Sequence, residues 1–286
     1  MRIHIDDDFD LNKIAASGQC FRFTQEDDGS YRIISGGRCL YAAQTGENEF
    51  GLECNRSEFD QYWRAYFDLD LSYRAIRERV SSKDDPFLAA AADDQKGVRI
   101  LRQDPFEMLI TSILTQNKNI PAICRSVELL AEAAGEAKTD SRGKLFHAFP
   151  QPEAIAAMTE EELKRCRLGY RSGYVKAAAG AVLSGELDLE SLMTADDERT
   201  MKALTSIYGV GSKVASCVSL FGLHHLDAFP LDVWIRRVLD NEYPNGYPFE
   251  TYSPYNGIYQ QYMFAYYRNE FPTLMISPKR PQRTKG

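Results

Sequence analysis

Residues 209–217 read GVGSKVASC, with two glycines around Val210 and a helix-like run directly after them. Lys213 stands in the first turn of that run. A helix N-terminus carries partial positive charge, so a cation there is electrostatically misplaced. The ammonium form is disfavoured in such a place, which leaves a free amine available for nucleophilic chemistry near neutral pH. Further along, "HHLDAFPLDVWIRRVL" places Asp232 where an N-cap belongs, ahead of Val233, Ile235, Val238 and Leu239. The helix terminus is expected to keep that carboxylate ionised, and the intervening chain is long enough to fold back beside the lysine. The glycines also let the backbone approach a partner closely, and free amides at a helix N-terminus hold phosphate well. Each feature alone also has a plain structural reading. GVG fits a glycine-capped pair of helices, and Asp232 fits an N-cap with no further role.

The elements that must position these residues fall into two regions. Residues 17–54 read as antiparallel strands: "QCFRF", "YRII", "RCLYAA" and "EFGLEC", separated by Asp-Gly, Ser-Gly-Gly and Thr-Gly turns. From about residue 58 the periodicity changes to 3.6, beginning with "SEFDQYWRAYF", and helix is expected to follow helix to the end. In "RQDPFE", Asp104 is the N-cap, Pro105 the first helical residue and Glu107 the reciprocal capping-box partner. That helix stops at "QNKN", and a second starts near Pro121 and ends around Gly135. Asp196 caps a helix running into "SIYG", and "GIYQQYMFAYYRNE" forms a tyrosine-rich last helix. The expected fold is α+β, with a small antiparallel sheet domain and its following helix over 1–85 and a larger all-helical region over 86–286.

Bulk properties narrow the class. The chain has 286 residues, 44% hydrophobic and 26% charged, which is ordinary for a globular protein with a substantial core. No apolar run approaches the ~18 residues of a membrane span. The N-terminus, MRIHIDDDFD, is acidic where a secretory signal would be basic and then apolar, so an intracellular, cytoplasmic protein is expected. Six scattered cysteines form no C-x-x-C pair, which leaves zinc ribbons, iron–sulfur clusters and disulfide frameworks unsupported. The net charge of −7 argues against indiscriminate coating of nucleic acid but allows a local basic site. After Glu270 the chain has no acid and four basic residues, which reads as a solvated tail.

The run "LTSIYGVGSKVASCVSLFGLHHLDAFPLDVWIRRVL" resembles the helix-hairpin-helix, Gly/Pro-loop and aspartate signature of the base-excision DNA glycosylases. Within that superfamily the chain is similar to the 8-oxoguanine DNA glycosylases. "ASGQCFRF", "VRILRQDPFEMLITSILTQNKNI", "LGYRSGYV" and "GIYQQYMF" each resemble a block of that family, in the same order and across nearly the whole chain.

The resemblance implies a role for each matched residue. Lys213 is the nucleophile that attacks C1′, displaces the base and forms a Schiff base, after which the 3′ phosphate is eliminated. Asp232 stabilises charge on the sugar and helps deprotonate the lysine. The carbonyl of Gly18 accepts a hydrogen bond from N7–H, which 8-oxoguanine has and guanine lacks. Gln260 reads the Watson–Crick edge, Phe264 stacks on the base, and Cys217 lies on its other side, where a thiolate–ammonium dipole with Lys213 aids discrimination. From spacing alone, Gln260 and Phe264 would equally be a core-facing helical stripe. Asn117 fills the gap left by the flipped base, although an asparagine in a turn is usually only turn chemistry. Tyr170 is the wedge, and Arg171 contacts the orphaned cytosine. Gly209, Val210 and Gly211 meet the DNA backbone, and the carbonyls of Thr205, Ile207 and Val210 hold a monovalent cation, sodium or potassium, against a phosphate. No further cofactor is implied. The partner is double-stranded DNA containing 8-oxoguanine, approached by a monomer.

Two departures stand out. Animal and fungal relatives have a second cytosine-contacting arginine where this chain has Ala122, and a phosphate-contacting histidine where it has Trp234. A relaxed preference for the opposite base is therefore expected, and a compact chain without an organelle-targeting segment fits a bacterial enzyme. Three alternatives stay open: a related glycosylase for another lesion such as an alkylated purine, a non-enzymatic helix-hairpin-helix DNA-binding module, and an unrelated helical protein with a coincidental hairpin. Relatives specific for adenine or oxidised pyrimidines carry a four-cysteine iron–sulfur loop after the aspartate, which this chain lacks.

Overall fold

A computed structural model describes residues 1–270, so the basic tail lies outside the described residues. Five strands form one antiparallel sheet: β1 (Arg2–His4), β2 (Phe23–Gln25), β3 (Tyr31–Ser35), β4 (Arg38–Gly46) and β5 (Glu49–Leu52), in the order β1-β5-β4-β3-β2. Ile33 pairs with Leu40 across β3 and β4, and Ala42 pairs with Leu52 across β4 and β5. These side chains point to the face that Phe50, Trp63 and Phe67 cover, where all are at most a few per cent exposed. β1 was not expected: it is a three-residue edge strand that pairs with Glu49–Gly51. "QCFRF" contributes only its last residue, Phe23, to β2.

The helices that matter for the site are α1 (Leu11–Ala16), α2 (Pro86–Asp94), α3 (Pro105–Leu114), α4 (Ile120–Ala134), α5 (Ser172–Ser184), α6 (Asp197–Thr205), α7 (Ser212–Phe221), α8 (Val233–Glu242) and α9 (Asn256–Glu270). Their starts follow local chemistry. Asp104, Asn119, Asp196 and Asp232 each accept a hydrogen bond from the backbone N–H three residues on, which satisfies a donor the helix itself leaves free. Glu107 does not return the bond to Asp104 as the capping-box pattern predicts. Burial instead pushes its carboxyl up to about 8.

The helical region is not uninterrupted. Strands Ala137–Thr139 and Leu145–His147 form a second hairpin. Asp140 at its turn accepts from Arg32 at 2.9 Å and from Tyr41 at 2.8 Å, while Arg142 donates to Glu53 at 2.6 Å. The hairpin thus straps the first sheet to the helices. Arg99, fully buried, is a second strap, donating to the carbonyls of Asp8 and Asp68 and to the carboxylate of Asp7. Two apolar cores fill the helical region, one centred on α3, α4, α5 and α7 and the other on α8 and α9, and α7 contributes to both. No helix among the described residues is long and apolar enough to cross a membrane.

Candidate active site

Thr205 ends α6, Gly209 turns the chain at φ +87°, and Gly211 starts α7 with no side-chain cap. The first amides of α7 therefore keep no partner from a capping side chain, and Gly211 is exposed. Gly209 must be glycine for a reason beyond its backbone angle. A Cβ there would lie 2.1 Å from Cγ of Tyr174, whose ring rests on the turn. Val210 is buried beneath the hairpin and donates its N–H to the carbonyl of Ile207 at 3.0 Å.

Lys213 is half-buried in the first turn of α7, and its Nζ donates to Oγ1 of Thr115 at 3.3 Å. Cys217, one turn on, is buried. Burial pushes its thiol up while the neighbouring Lys213 pulls it back, and the net shift is upward. The balance therefore favours the thiol over the expected thiolate, because desolvation outweighs the nearby cation. Asp232 caps α8 by accepting from the Ile235 N–H at 2.9 Å. It forms no ion pair with Lys213 among the described residues, yet the lysine's charge reaches it. Burial raises the Asp232 carboxyl above its ordinary value, against the amides of Ile235 and Trp234 and the charges of Lys213 and Arg268. The helix-terminal amides favour the ionised form as expected, but desolvation is the larger influence.

The loops on either side of this centre converge on it. Gly18 adopts φ +80°, and a Cβ there would stand 3.6 Å from Phe264 and 3.7 Å from Arg268. The carbonyl of Ser17 accepts from Gln261 and that of Gln19 from Gln103, whereas the Gly18 carbonyl has no hydrogen-bond partner among the described residues. Gln260 is buried, and its Nε2 donates to the carbonyl of Pro230 at 3.0 Å, two residues before Asp232. Its Oε1 is buried without a partner. An orphaned buried acceptor is costly, so Gln260 Oε1 is in want of a donor, and the carbonyl of the half-buried Gly18 is left free.

The third group gathers at the end of α3. Asn117 is exposed in left-handed backbone at φ +49° and donates to the hydroxyl of Tyr170 at 3.3 Å. Gln116 donates to the Gly209 carbonyl at 3.1 Å. Arg171 is buried, bonds to the carbonyls of Gln116 and Leu168, and lies against the Tyr170 ring. It braces the turn instead of reaching into solvent. Tyr170, Tyr174 and Tyr208 form an edge-to-face ladder with centroids 5.8 and 4.9 Å apart, and the outer two rings are exposed. Ala122 donates its amide to Asn119, and Trp234 packs under Arg237.

Lys213, the half-buried Asp232 carboxylate and the unpartnered Gln260 Oε1 therefore belong to α7, the start of α8 and α9, which share one core, and the hairpin that opens α7 has no side-chain cap. Residues 2–109 match the model of the 8-oxoguanine DNA glycosylase N-terminal domain, and residues 110–245 match that of the HhH-GPD superfamily base excision DNA repair proteins. The chain belongs to the 8-oxoguanine DNA glycosylase family. It is thus an enzyme of the N-glycosylase/DNA lyase class. The family's MBOgg1, solved with a low-affinity DNA ligand, is 35% identical with a TM-score of 0.88, covering 94% of this chain and 95% of the other. The Clostridium acetobutylicum 8-oxoguanine glycosylase/lyase, solved with double-stranded DNA containing cytosine opposite 8-oxoG, is 31% identical with a TM-score of 0.85, over 94% and 98% of the two chains. A probable N-glycosylase/DNA lyase of Methanothermobacter thermautotrophicus is 29% identical over 279 residues, 85% of each chain.

Within this family member, sequence reasoning missed Thr115, Gln116, Tyr174 and Arg268. The first two adjoin Asn117 in "LTQNKN", and the exposed end of an otherwise buried helix was the available signal. Tyr174 could have been suspected from its spacing of four to Tyr170. Nothing local marks Arg268.

Proposed function

We propose that this enzyme flips 8-oxoguanine out of double-stranded DNA, excises it through a Schiff base on Lys213, and then cleaves the strand. The observation that carries this reading is the pair of unpartnered acceptors, Gly18 O beside Phe264 and Gln260 Oε1 one turn before it on α9. Chemistry at C1′ requires an extruded nucleotide, whose base is read in a pocket. Guanine-type bases offer N1–H and N2–H donors on the Watson–Crick edge, which suits Oε1. Only the oxidised base adds a donor at N7, which suits the Gly18 carbonyl. Phe264 supplies a stacking face, and the buried Cys217 closes the other side.

The Lys213 amine adds to C1′ as the bond from C1′ to N9 breaks, and the base leaves with its electron pair. Asp232 offsets the positive charge that grows on the sugar, an effect strengthened by its burial. Opening of the sugar ring and loss of a proton from nitrogen give the protonated imine. Removal of a C2′ proton then expels the 3′ phosphate, and water releases Lys213. Asn117 and Tyr170 occupy the gap in the duplex, and Arg171 swings out to the orphaned base. Gly209, Val210 and Gly211 meet the backbone through the amides that open α7. The carbonyls of Thr205, Ile207 and Val210 suit a monovalent cation, since they are neutral oxygens and that of Ile207 keeps a lone pair beyond its bond from Val210. Such an ion supplies charge neutralisation for one phosphate. The enzyme acts as a single chain.

Because Ala122 supplies no guanidinium, discrimination at the opposite base is weaker by about 1–3 kcal/mol than with a bidentate donor. Excision rates opposite all four bases measure this, and a strict cytosine requirement refutes it. The central test is borohydride trapping on a duplex with one 8-oxoguanine opposite cytosine. A covalent adduct is expected with wild type, and none with Lys213→Gln or a plain guanine duplex. Undiminished base release by Lys213→Gln overturns the nucleophile. Binding without any adduct points to another lesion or a monofunctional reaction.

A further inference from the structure

Near the end of α9 stands a cation that the reaction scheme leaves unused. Arg268 is half-buried, and its Nη2 donates to the carbonyl of Ala16 at 2.6 Å. Its guanidinium lies 5.2 Å from the centroid of the Phe264 ring, one helical turn earlier. Its other terminal nitrogen is 3.7 Å from where a Gly18 side chain would begin. Burial works against its charge, and Asp232 is the anion that favours it.

A basic residue in the last turn of a helix is commonly explained by the helix dipole. That account covers the charge but not the direction, because Nη2 leaves its own helix for the α1 terminus on the other side of the pocket. Gln261 makes a parallel tie from α9, donating to the Ser17 carbonyl at 2.6 Å. Two successive peptide groups ahead of Gly18 are thus fastened to the helix that carries Gln260 and Phe264. Gly18 has no side chain to hold it and sits in backbone that glycine alone adopts freely. Where its carbonyl points depends on these ties.

We propose that Arg268 is a specificity-positioning residue, clamping the Gly18 turn against α9 and setting the gap between the Gly18 carbonyl and the Phe264 ring. The proposal rests on the reading of this pocket as the 8-oxoguanine site. A planar, multidentate guanidinium can donate to Ala16 while standing over the Phe264 ring, where lysine's compact, strongly hydrated ammonium is the poorer fit. The clamp acts on recognition of the base. Strand cleavage at a site that has already lost its base does not need it.

That difference gives the test. Wild type, Arg268→Lys and Arg268→Met are compared under single-turnover conditions at one fixed pH. One substrate carries 8-oxoguanine opposite cytosine and the other a preformed abasic site. For Arg268→Met, 8-oxoguanine excision is expected to fall about 10- to 100-fold, the scale of a small misplacement at the reacting centre, with abasic cleavage within about twofold. Arg268→Lys is expected to fall between the two. Equal loss on both substrates overturns the proposal in favour of a merely structural role, and so does full activity of Arg268→Met on both. Wild type that cleaves abasic sites yet leaves 8-oxoguanine in place refutes the pocket reading itself, and the Arg268 proposal falls with it.

Discussion

Replacing Gly209 with alanine tests whether the hairpin glycine serves packing as well as DNA contact. Two costs follow from the structure. The residue sits at φ +87°, where an L-residue with a Cβ is strained by about 1–2 kcal/mol. The new methyl would also stand 2.1, 2.4 and 2.6 Å from Cγ, Cδ1 and Cβ of Tyr174. These atoms lie at the root of the side chain, so a rotamer change cannot clear all three and α5 or the hairpin must move. Overpacking of this kind costs about 1–3 kcal/mol. Together the loss should be about 2–5 kcal/mol. Urea unfolding of wild type, Gly209→Ala, Tyr174→Ala and the double variant forms a double-mutant cycle. The steric part should vanish in the double variant, giving a coupling of about 1–3 kcal/mol, while the backbone part remains. Gly209→Ala as stable as wild type refutes the argument, and zero coupling refutes its steric half.

Asp232→Asn is expected to abolish excision while leaving the protein at least as stable at pH 7. Asparagine caps a helix about as well as aspartate, and burial raises this carboxyl above its ordinary 3.8 in the folded state. The folded protein therefore keeps the proton to a higher pH than the unfolded chain does. Stability falls as pH rises from the unfolded value through the folded one, and the full penalty is present above it. The asparagine's advantage in urea midpoint should shrink as pH is lowered through that window, and a clear disadvantage at pH 7 would show the sign to be wrong. Arg99→Met should lower stability by about 3–5 kcal/mol, since it strands the Asp7 carboxylate and several carbonyls around a fully buried site. An unchanged unfolding midpoint would show that the strap carries no weight.

What could be read in advance divides by the range of the physics. Capping is local, so Asp104, Asp196 and Asp232 mark their helices correctly, and 3.6-residue periodicity finds α3, α4 and α9. β1 and the second hairpin escape because three-residue strands have too little alternation to register, and β1 is defined by a partner nearly fifty residues away. The same limit applies at the site. The lysine and aspartate were visible as types in context. Their solvation was not, because the burial that raises Asp232 and Cys217 comes from packing between distant elements. Arg268 is the extreme case: its meaning lies in a carbonyl 252 residues away.

Thr115, Gln116 and Asn117 are consecutive, yet each meets a different part: Lys213, the hairpin and Tyr170. Apart from Cys217 on α7, the groups proposed to read the base hang elsewhere, on the Gly18 turn and α9. On the proposed reading, reaction machinery and most of lesion choice sit on separate mounts. An engineer, or natural drift, could retune the lesion by exchanging residues at 18, 260, 264 and 268 while the catalytic mount stays untouched. A one-residue insertion between 114 and 118 would have the opposite effect, breaking the contacts to Lys213, the Gly209 turn and Tyr170 in a single event.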